Sequence, residues 1–293
     1  MNVLITGSSG YIGRDFLSHF KINHPDSTIY LLQKNKILDN QENTIIINKD
    51  IRYLLANDLD VEFDYVYHFA ALAHNKFTND DINDVNVNGT LALIHAIDGK
   101  CKNFIFLSSA NIYGSVGDGL CEKSPLKATT PMMLAKQKCE EIIMCSSIHN
   151  IFILRLALVL SHDAPGNIKL ISNFSKKFSI LPFGAAIEER SFLNKPDLIQ
   201  LLTDLPDKTI NGKNVYNIAS REGLSLRELI SAFLNLCGLK PTFFYVPISI
   251  IYFIFYALGK KELFNKMFKK FTLNTSKAEA ELGFSSTKII LRK

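Results

Sequence analysis

The chain has 293 residues, of which 47% are hydrophobic and 21% charged, and its net charge is +5. This balance is typical of a globular protein. The basic excess is too small to indicate a nucleic-acid-binding surface, although it suits an anionic ligand. The five cysteines form no C-x-x-C pair, which argues against a disulfide framework or a zinc site and favours reduced thiols in the cytoplasm. We therefore expect no bound metal and no nucleic acid.

The chain begins with a predicted strand, a glycine turn and a helix. The run at residues 2–5 ends in three apolar residues and predicts a strand, and the spacing of Ile12, Phe16 and Phe20 predicts one apolar helix face after it. Because this strand starts at residue 2, no signal peptide is expected. The glycine spacing between strand and helix is typical of a turn that brings backbone N–H groups to a diphosphate, and a turn without a ligand is the alternative. The predicted dinucleotide contacts are Gly7, Ser9, Gly10, Tyr11, Ile12 and Gly13.

Later segments continue the alternation of strands and helices. Strands are predicted at residues 28–32, 44–47, 63–69, 103–107 and 151–156, and helices at 80–97 and 131–145. This alternation predicts an α/β fold, a Rossmann-type doubly wound parallel sheet with right-handed crossovers. After residue 160, prolines and glycines interrupt the pattern, and we expect no regular alternation of strands and helices there. We predict a dinucleotide-binding domain at 1–160 and a smaller substrate-binding region at 161–293, interleaved with the end of the sheet, with the site between them.

The end of the second strand indicates which dinucleotide is bound. An Asp or Glu there would bind the ribose 2′-hydroxyl of NAD, but this chain has Gln33 and Lys34 instead. Lys34 or Lys36 could face the 2′-phosphate of NADP, or both could be exposed loop lysines. We expect NAD or NADP as the cofactor, with NADP slightly favoured.

Five segments, taken in order, resemble the extended short-chain dehydrogenase/reductase family, which contains nucleotide-sugar epimerases, dehydratases and reductases. They are the glycine turn at 6–13, residues 50–51, the strand end at 68–71, the N-V-N-G-T sequence at 86–90 and the serine-containing strand at 104–114. The resemblance runs from Met1 to about Gly283. It implies further cofactor contacts at Asp50, Ile51, Phe69, Ala70, Ala71 and Lys136.

Three shorter segments, at 71–74, 166–167 and 190–192, look like family members from bacterial surface-polysaccharide biosynthesis. Those members act on 4-keto or 4-hydroxyl positions of nucleotide-linked amino sugars. The resemblance implies that Asn167 and Arg190 face the nucleotide and diphosphate, a role that suits the planar guanidinium. An ion pair of Arg190 with Glu188 or Glu189 is the alternative. The substrate contacts implied in this way are His74, Ser109, Asn111, Asn167 and Arg190.

The chemistry of this family uses a tyrosine and a lysine four residues apart on one helix face, and a serine. The lysine lowers the phenol pKa and holds the nicotinamide ribose, the serine orients the sugar oxygen, and the tyrosine transfers the proton. Here Ser109 and Lys136 are present, but Met132 stands at the tyrosine position, and a thioether cannot donate a proton. No tyrosine lies between Tyr113 and Tyr216, and we expect Tyr113 to be structural. The residues at catalytic positions are Asn86, Ser109, Met132 and Lys136.

Three functional hypotheses follow from this pattern. The first is an NAD(P)-dependent 4-epimerase or 4-ketoreductase of UDP- or dTDP-sugars with a weakened proton-transfer group, which Ser109, Lys136 and Asn86 favour. The second is a catalytically impaired relative that binds dinucleotide or nucleotide sugar for regulation or assembly, which Met132 favours. The third is an enzyme that uses water or a substrate hydroxyl as the proton relay. The resemblance also implies a homodimer.

The longest apolar run, residues 246–258, is too short for the ~20 residues that cross a bilayer. We predict a helix buried in the substrate-binding region, followed by lysines in solvent. A weak contact of this segment with an anionic membrane surface is the alternative.

Overall fold

The computed structural model describes residues 1–34, 42–72, 77–161, 180–236, 240 and 242–287. The strands are β1 (Asn2–Thr6), β2 (Thr28–Gln33), β3 (Thr44–Asn48), β4 (Phe63–His68), β5 (Cys101–Ser109), β6 (Gly117–Leu120), β7 (Asn150–Leu156), β8 (Leu158–Leu160), β9 (Ile180–Leu181), β10 (Glu189–Arg190), β11 (Phe192–Asn194), β12 (Lys213–Ile218), β13 (Leu224–Ser225), β14 (Thr242–Phe243) and β15 (Phe271–Leu273). The helices are α1 (Gly13–Asn23), α2 (Asn79–Ile82), α3 (Gly89–Ala96), α4 (Pro131–Cys145), α5 (Lys195–Asp204), α6 (Leu226–Leu236), α7 (Ile248–Ala257), α8 (Lys261–Phe268) and α9 (Ser276–Leu282).

A seven-stranded parallel sheet forms the centre of the fold, with the strand order β12-β7-β5-β4-β1-β2-β3. Side chains of successive strand residues point to opposite faces, so Val3 and Ile5 pack with α1 and α5 while Leu4 packs with α3 and α4. Helices therefore cover both faces, and the predicted Rossmann-type doubly wound fold is confirmed.

One strand of this sheet was not predicted from the sequence. After residue 160, α5 and β12 form a further helix–strand unit, and β12 pairs in parallel with β7. The expectation that no regular alternation survives beyond residue 160 is therefore wrong. The strand is hard to recognise because its buried Asn217 is polar, and that side chain donates to the carbonyl oxygens of Leu120 and Asn274. The division of domains at residue 160 stays a prediction.

The prediction of a buried helix at 246–258 is also wrong. Helix α7 buries Ile251 and half-buries Phe255 against Phe264 and Phe268 of α8, whereas most of its other apolar side chains are exposed. An apolar run without periodicity shows that a helix is hydrophobic, but not how much of its surface finds a partner. Within the described ranges, no helix combines the length and hydropathy that crossing a membrane requires.

Candidate active site

The glycine turn between β1 and α1 is held by close backbone contacts. Gly7 has φ +72°, and a Cβ there would lie 2.5 Å from the nitrogen of Ala70. A Cβ on Gly13 would lie 2.2 Å from the carbonyl oxygen of Gly7. Gly10 differs, because its Cβ would meet only that oxygen, at 3.1 Å, and the residue is exposed. Gly7 and Gly13 are therefore required by the fold, while Gly10 leaves open the N-terminal end of α1, where backbone N–H groups attract anions.

The other predicted residues of the turn differ in their surroundings. Ser9 is exposed and Ile12 precedes α1 as its half-buried N-cap residue. The Tyr11 hydroxyl lies 2.6 Å from Oγ of Ser161, and its ring lies 4.0 Å from Nζ of Lys195. Tyr11 thus connects the turn to the end of β8 and to the start of α5.

Gln33 ends β2 beside the glycine turn. Its Nε2 donates to Oγ of Ser8 at 3.0 Å, whereas its Oε1 is buried and has no hydrogen-bond partner in the described part of the chain. A buried acceptor without a donor is costly, so this oxygen is suited to a hydroxyl of a bound ligand. Lys34 next to it lies 3.3 Å from a carboxylate oxygen of Asp50. Lys36 lies outside the described residues.

Asp50 and Ile51 lie beyond β3. The Asp50 carboxylate accepts hydrogen bonds from the backbone N–H and the guanidinium of Arg52, whose ion pair holds the pKa of Asp50 well below its usual range. Ile51 is buried, and a Cβ on Gly89 would lie 3.0 Å from its Cγ2. The side chains of both residues therefore support this corner of the fold, and their contact with the cofactor stays a prediction.

A chain of buried hydrogen bonds connects the glycine turn to Asn86. The Thr90 hydroxyl donates to the carbonyl oxygen of Asn86 at 2.6 Å, so it accepts from Nε2–H of His68 at 2.9 Å. Nδ1 of His68 is then the acceptor for the Thr6 hydroxyl at 2.8 Å, and the Thr6 oxygen accepts in turn from the nitrogen of Ala70. Burial lowers the pKa of His68 to about 3, which keeps the imidazole neutral and matches this assignment. His68 and Thr90 lie in two of the segments that resemble the family, but their roles are not predicted from the sequence, although a histidine ending an apolar strand is a signal for such a role.

Asn86 holds the segment that follows β4. Its Oδ1 accepts from the nitrogen of Leu72 at 2.7 Å, and its Nδ2 donates to the carbonyl oxygen of Leu72 at 3.1 Å. The same Nδ2 lies 3.6 Å from Sδ of Met132. Asn86 belongs to a π-helical turn, Asn83–Asn88, a conformation that is frequent at functional sites. Its side chain thus fixes the backbone after Phe69, Ala70 and Ala71, the residues predicted to run beside the cofactor.

The first turns of α4 bring Met132 and Lys136 to the carboxyl end of β5. Nζ of Lys136 donates to the carbonyl oxygen of Leu107 at 2.7 Å and lies 4.5 Å from the Phe106 ring, and burial lowers its pKa. Ser109 ends β5, and its Oγ accepts from the nitrogen of the exposed Asn111 at 3.2 Å. The structure therefore places Asn86 beside Met132, and Lys136 beside the strand that ends at Ser109, with a thioether where the resemblance implies a phenol.

Tyr113 does not replace the missing phenol. Its hydroxyl donates to Oδ1 of Asn217 at 2.8 Å and accepts from the guanidinium of Arg155 at 2.7 Å. Arg155 is itself paired with the buried Glu140, and burial raises the pKa of the tyrosine. This hydroxyl belongs to a buried hydrogen-bond network, which agrees with the structural role expected for Tyr113 in the serine-containing segment at 104–114.

Three predicted substrate contacts lie elsewhere or cannot be described. Arg190 is buried, and its guanidinium donates to the carbonyl oxygens of Ser115, Asn265 and Lys269, the last at 2.6 Å. Burial lowers its pKa to about 10. Arg190 thus links β10 to α8 and to the residue that follows it. Its contact with a diphosphate stays a prediction. His74 and Asn167 lie outside the described residues.

The chain belongs to the NAD dependent epimerase/dehydratase family, whose sequence model matches residues 3–219. This finding confirms the resemblance drawn from the motifs. The plant UDP-glucose 4-epimerase 2 of Arabidopsis thaliana is 27% identical over 295 residues, which cover 82% of this chain and 81% of that enzyme. A trifunctional UDP-glucose 4,6-dehydratase/UDP-4-keto-6-deoxy-D-glucose 3,5-epimerase/UDP-4-keto-L-rhamnose-reductase of the same plant is 29% identical over 167 residues. That match covers 49% of this chain but only 25% of the relative's length.

Among solved structures, the UDP-glucuronic acid 4-epimerase of Bacillus cereus in complex with UDP-glucuronic acid and NAD superposes with a TM-score of 0.79. The match covers 99% of this chain and 95% of that one, at 20% sequence identity. At this identity the likeness shows that the two chains share a fold.

Proposed function

We propose that the chain binds NAD and a UDP- or dTDP-sugar and catalyses oxidation and reduction at C4 of the sugar, as a 4-epimerase or 4-ketoreductase. We also propose that it acts in the cytoplasm in bacterial surface-polysaccharide biosynthesis, as the sequence segments resembling that subgroup suggest. The observation that carries the proposal is the arrangement of Lys136, Ser109 and Asn86 at the carboxyl ends of β4 and β5. Lys136 is fixed on the backbone of β5, Ser109 ends that strand, and Asn86 holds the segment after β4.

The residues present fit a dinucleotide. The open end of α1 at Gly10 would hold the diphosphate, Gln33 would accept from an adenosine ribose hydroxyl, and Lys136 would hold the nicotinamide ribose. When bound, the nicotinamide supplies a reversible hydride acceptor. Ser109 would then orient the C4 oxygen of the sugar through its hydroxyl.

In this chain no phenol stands at position 132 to transfer the proton of the C4 hydroxyl. Met132 has no ionisable atom, so a water molecule or a neighbouring sugar hydroxyl would carry the proton from the C4 oxygen. The lowered pKa of Lys136 brings its ammonium closer to exchanging a proton with that relay. We therefore expect turnover that is slow for the family.

A second candidate function is binding without turnover, in regulation or assembly. The observation that favours it is the contact of the Met132 thioether with Nδ2 of Asn86, which gives the position a packing role. Incubation of the purified protein with NAD or NADP and a panel of UDP- and dTDP-sugars, followed by chromatography of the sugars, separates the two. An altered C4 configuration or a 4-keto product supports the enzyme, whereas saturable binding with unchanged sugars supports the second function.

The choice between NAD and NADP provides a first prediction. The sequence favours NADP through Lys34 or Lys36. In the structure Lys34 faces Asp50, and the unpartnered Oε1 of Gln33 needs a hydroxyl donor. We expect calorimetry to show tighter binding of NAD than of NADP. Gln33→Leu should weaken NAD binding by about tenfold, the value of one hydrogen bond.

Lys34→Ala is the matched control, and it should leave NAD binding unchanged. Tighter binding of NADP, lost in Lys34→Ala, would instead support the preference predicted from the sequence.

We also propose a homodimer, formed through α3 and α4 as the family resemblance implies. Leu91 on α3 and Leu134 on α4 are exposed, and a shallow depression between the two helices is lined by Ile94 and Ile142. Apolar side chains on neighbouring helices suit a four-helix contact with a second copy. Light scattering measures the mass in solution.

A further inference from the structure

Helix α7 exposes apolar side chains around most of its circumference. Phe253 is 70% exposed and Tyr256 61%, and the same surface continues to either side of the helix. We call this set the α7 surface; it consists of Phe244, Tyr245, Ile250, Phe253, Ile254, Tyr256 and Leu258. Single exposed apolar residues are ordinary, but a contiguous group of this kind marks a docking surface.

The charges next to the α7 surface have one dominant sign. Residues 244–259 carry no charged side chain, and residues 260–270 contain five lysines and a single glutamate. Lys260 and Lys261 follow the helix directly, are exposed, and have no ion pair among the described residues. Lys266 lies 3.9 Å from Glu262, and Lys270 lies 2.9 Å from Asp118. A partner that covers the apolar surface therefore also meets uncompensated positive charge.

This combination favours a lipid surface over a second copy of the chain. In a two-fold dimer the same patch faces itself, so the lysines of the two copies would approach one another. A bilayer with anionic headgroups instead places phosphates beside the lysines and its acyl boundary beside the apolar side chains. Tyrosines such as Tyr245, Tyr252 and Tyr256 are the residue type that gathers at the headgroup level.

The length of the helix sets how it would meet the bilayer. Ten residues at ~1.5 Å each give a helix about half as long as a bilayer core is thick. Such a helix lies in the plane of the interface rather than across it. We propose that the α7 surface docks the protein on an anionic membrane, with Lys260 and Lys261 at the lipid phosphates. This inference does not depend on the proposed catalytic function.

Sedimentation with vesicles tests the proposal. The full chain is mixed with vesicles of phosphatidylcholine alone or of equal parts phosphatidylcholine and phosphatidylglycerol, at low and high salt. We expect it to sediment with the phosphatidylglycerol vesicles at low salt and to be released by salt. Phe253→Ser/Ile254→Ser and Lys260→Glu/Lys261→Glu should each weaken partitioning by at least about tenfold.

Matched controls separate a docking surface from general stickiness. Lys123→Glu/Lys138→Glu makes the same change of net charge on exposed lysines elsewhere, and Ile22→Ser removes an apolar side chain that is 77% exposed. Both control variants should bind vesicles like the parent. The proposal is overturned if the parent binds neither vesicle or if the controls lose binding equally. Light scattering that shows a dimer dispersed by Phe253→Ser/Ile254→Ser, without vesicle binding, would assign the surface to a second copy instead.

Discussion

Met132→Tyr is expected to raise the turnover of a nucleotide sugar by at least ~10²-fold, the low end of what a general acid–base group contributes. Position 132 lies one helical turn before Lys136, beside Asn86 and at the end of β5 where Ser109 lies. A phenol there would supply the proton-transfer group that Asn86, Ser109 and Lys136 do not provide. Steady-state rates measured with NAD and each sugar that binds provide the comparison.

The pH dependence of that variant should carry a matching signature. A phenol next to the Lys136 ammonium has its pKa lowered below the ordinary ~10, because the positive charge favours the phenolate. Oxidation of a 4-hydroxyl needs the phenolate as base, so its rate should rise with pH through this pKa. Reduction of a 4-ketone needs the phenol as acid, so its rate should fall through the same pKa.

Met132→Phe is the matched control, since it supplies the ring without the hydroxyl and should gain nothing. If native turnover is robust and Met132→Tyr leaves it unchanged, another proton donor operates. If the variant binds cofactor and sugar but stays inert, the site has lost more than a phenol, and binding without turnover becomes the better account.

Gly10→Val should reduce dinucleotide binding by at least about 10²-fold, the value of two hydrogen bonds to a charged diphosphate. Gly10 is not among the glycines with positive φ, and its Cβ would meet only the Gly7 oxygen, in a tight contact at 3.1 Å. The substitution therefore needs a small shift of the turn, while its branched methyl groups block the approach to the end of α1. Calorimetry measures the loss, and thermal unfolding should show a melting temperature close to that of the parent.

Gly13→Ala separates the effect on the ligand from the effect on the fold. Its Cβ would lie 2.2 Å from the Gly7 oxygen, so this smaller substitution should lower the melting temperature clearly. Undiminished binding of NAD by Gly10→Val would show that the turn is structural only. Absence of binding by the parent chain to either dinucleotide would remove the basis of the proposed enzyme.

The sheet was largely predictable because its strands are short apolar runs that alternate with helices. The prediction of a strand at 103–107, for example, corresponds to β5 at Cys101–Ser109. β12 was missed because buried polar residues interrupt its apolar pattern, and Asn217 finds its partners on segments far away in the chain. The burial of helix α7 is wrongly predicted because an apolar run without periodicity indicates hydrophobicity and not the presence of a covering surface.

The site was predictable in its positions but not in its contacts. Glycine spacing located the turn, yet only the coordinates distinguish Gly10 from the two glycines that backbone contacts require. Asp50 and Arg190 remain predicted ligand contacts, and the structure adds partners that the sequence does not reveal: Arg52 for the first and three carbonyl oxygens for the second. Hydrogen bonds between segments distant in sequence leave no periodic signal, so residue type and order cannot reveal them.

The support of Lys136 has a consequence for how this chain can change over generations. Its ammonium is held by the Leu107 carbonyl oxygen and the Phe106 ring, both part of the β5 strand, and not by residue 132. Exchange of residue 132 therefore leaves the charged neighbour in place. The gain or loss of a phenol at this position therefore needs no accompanying change at the lysine.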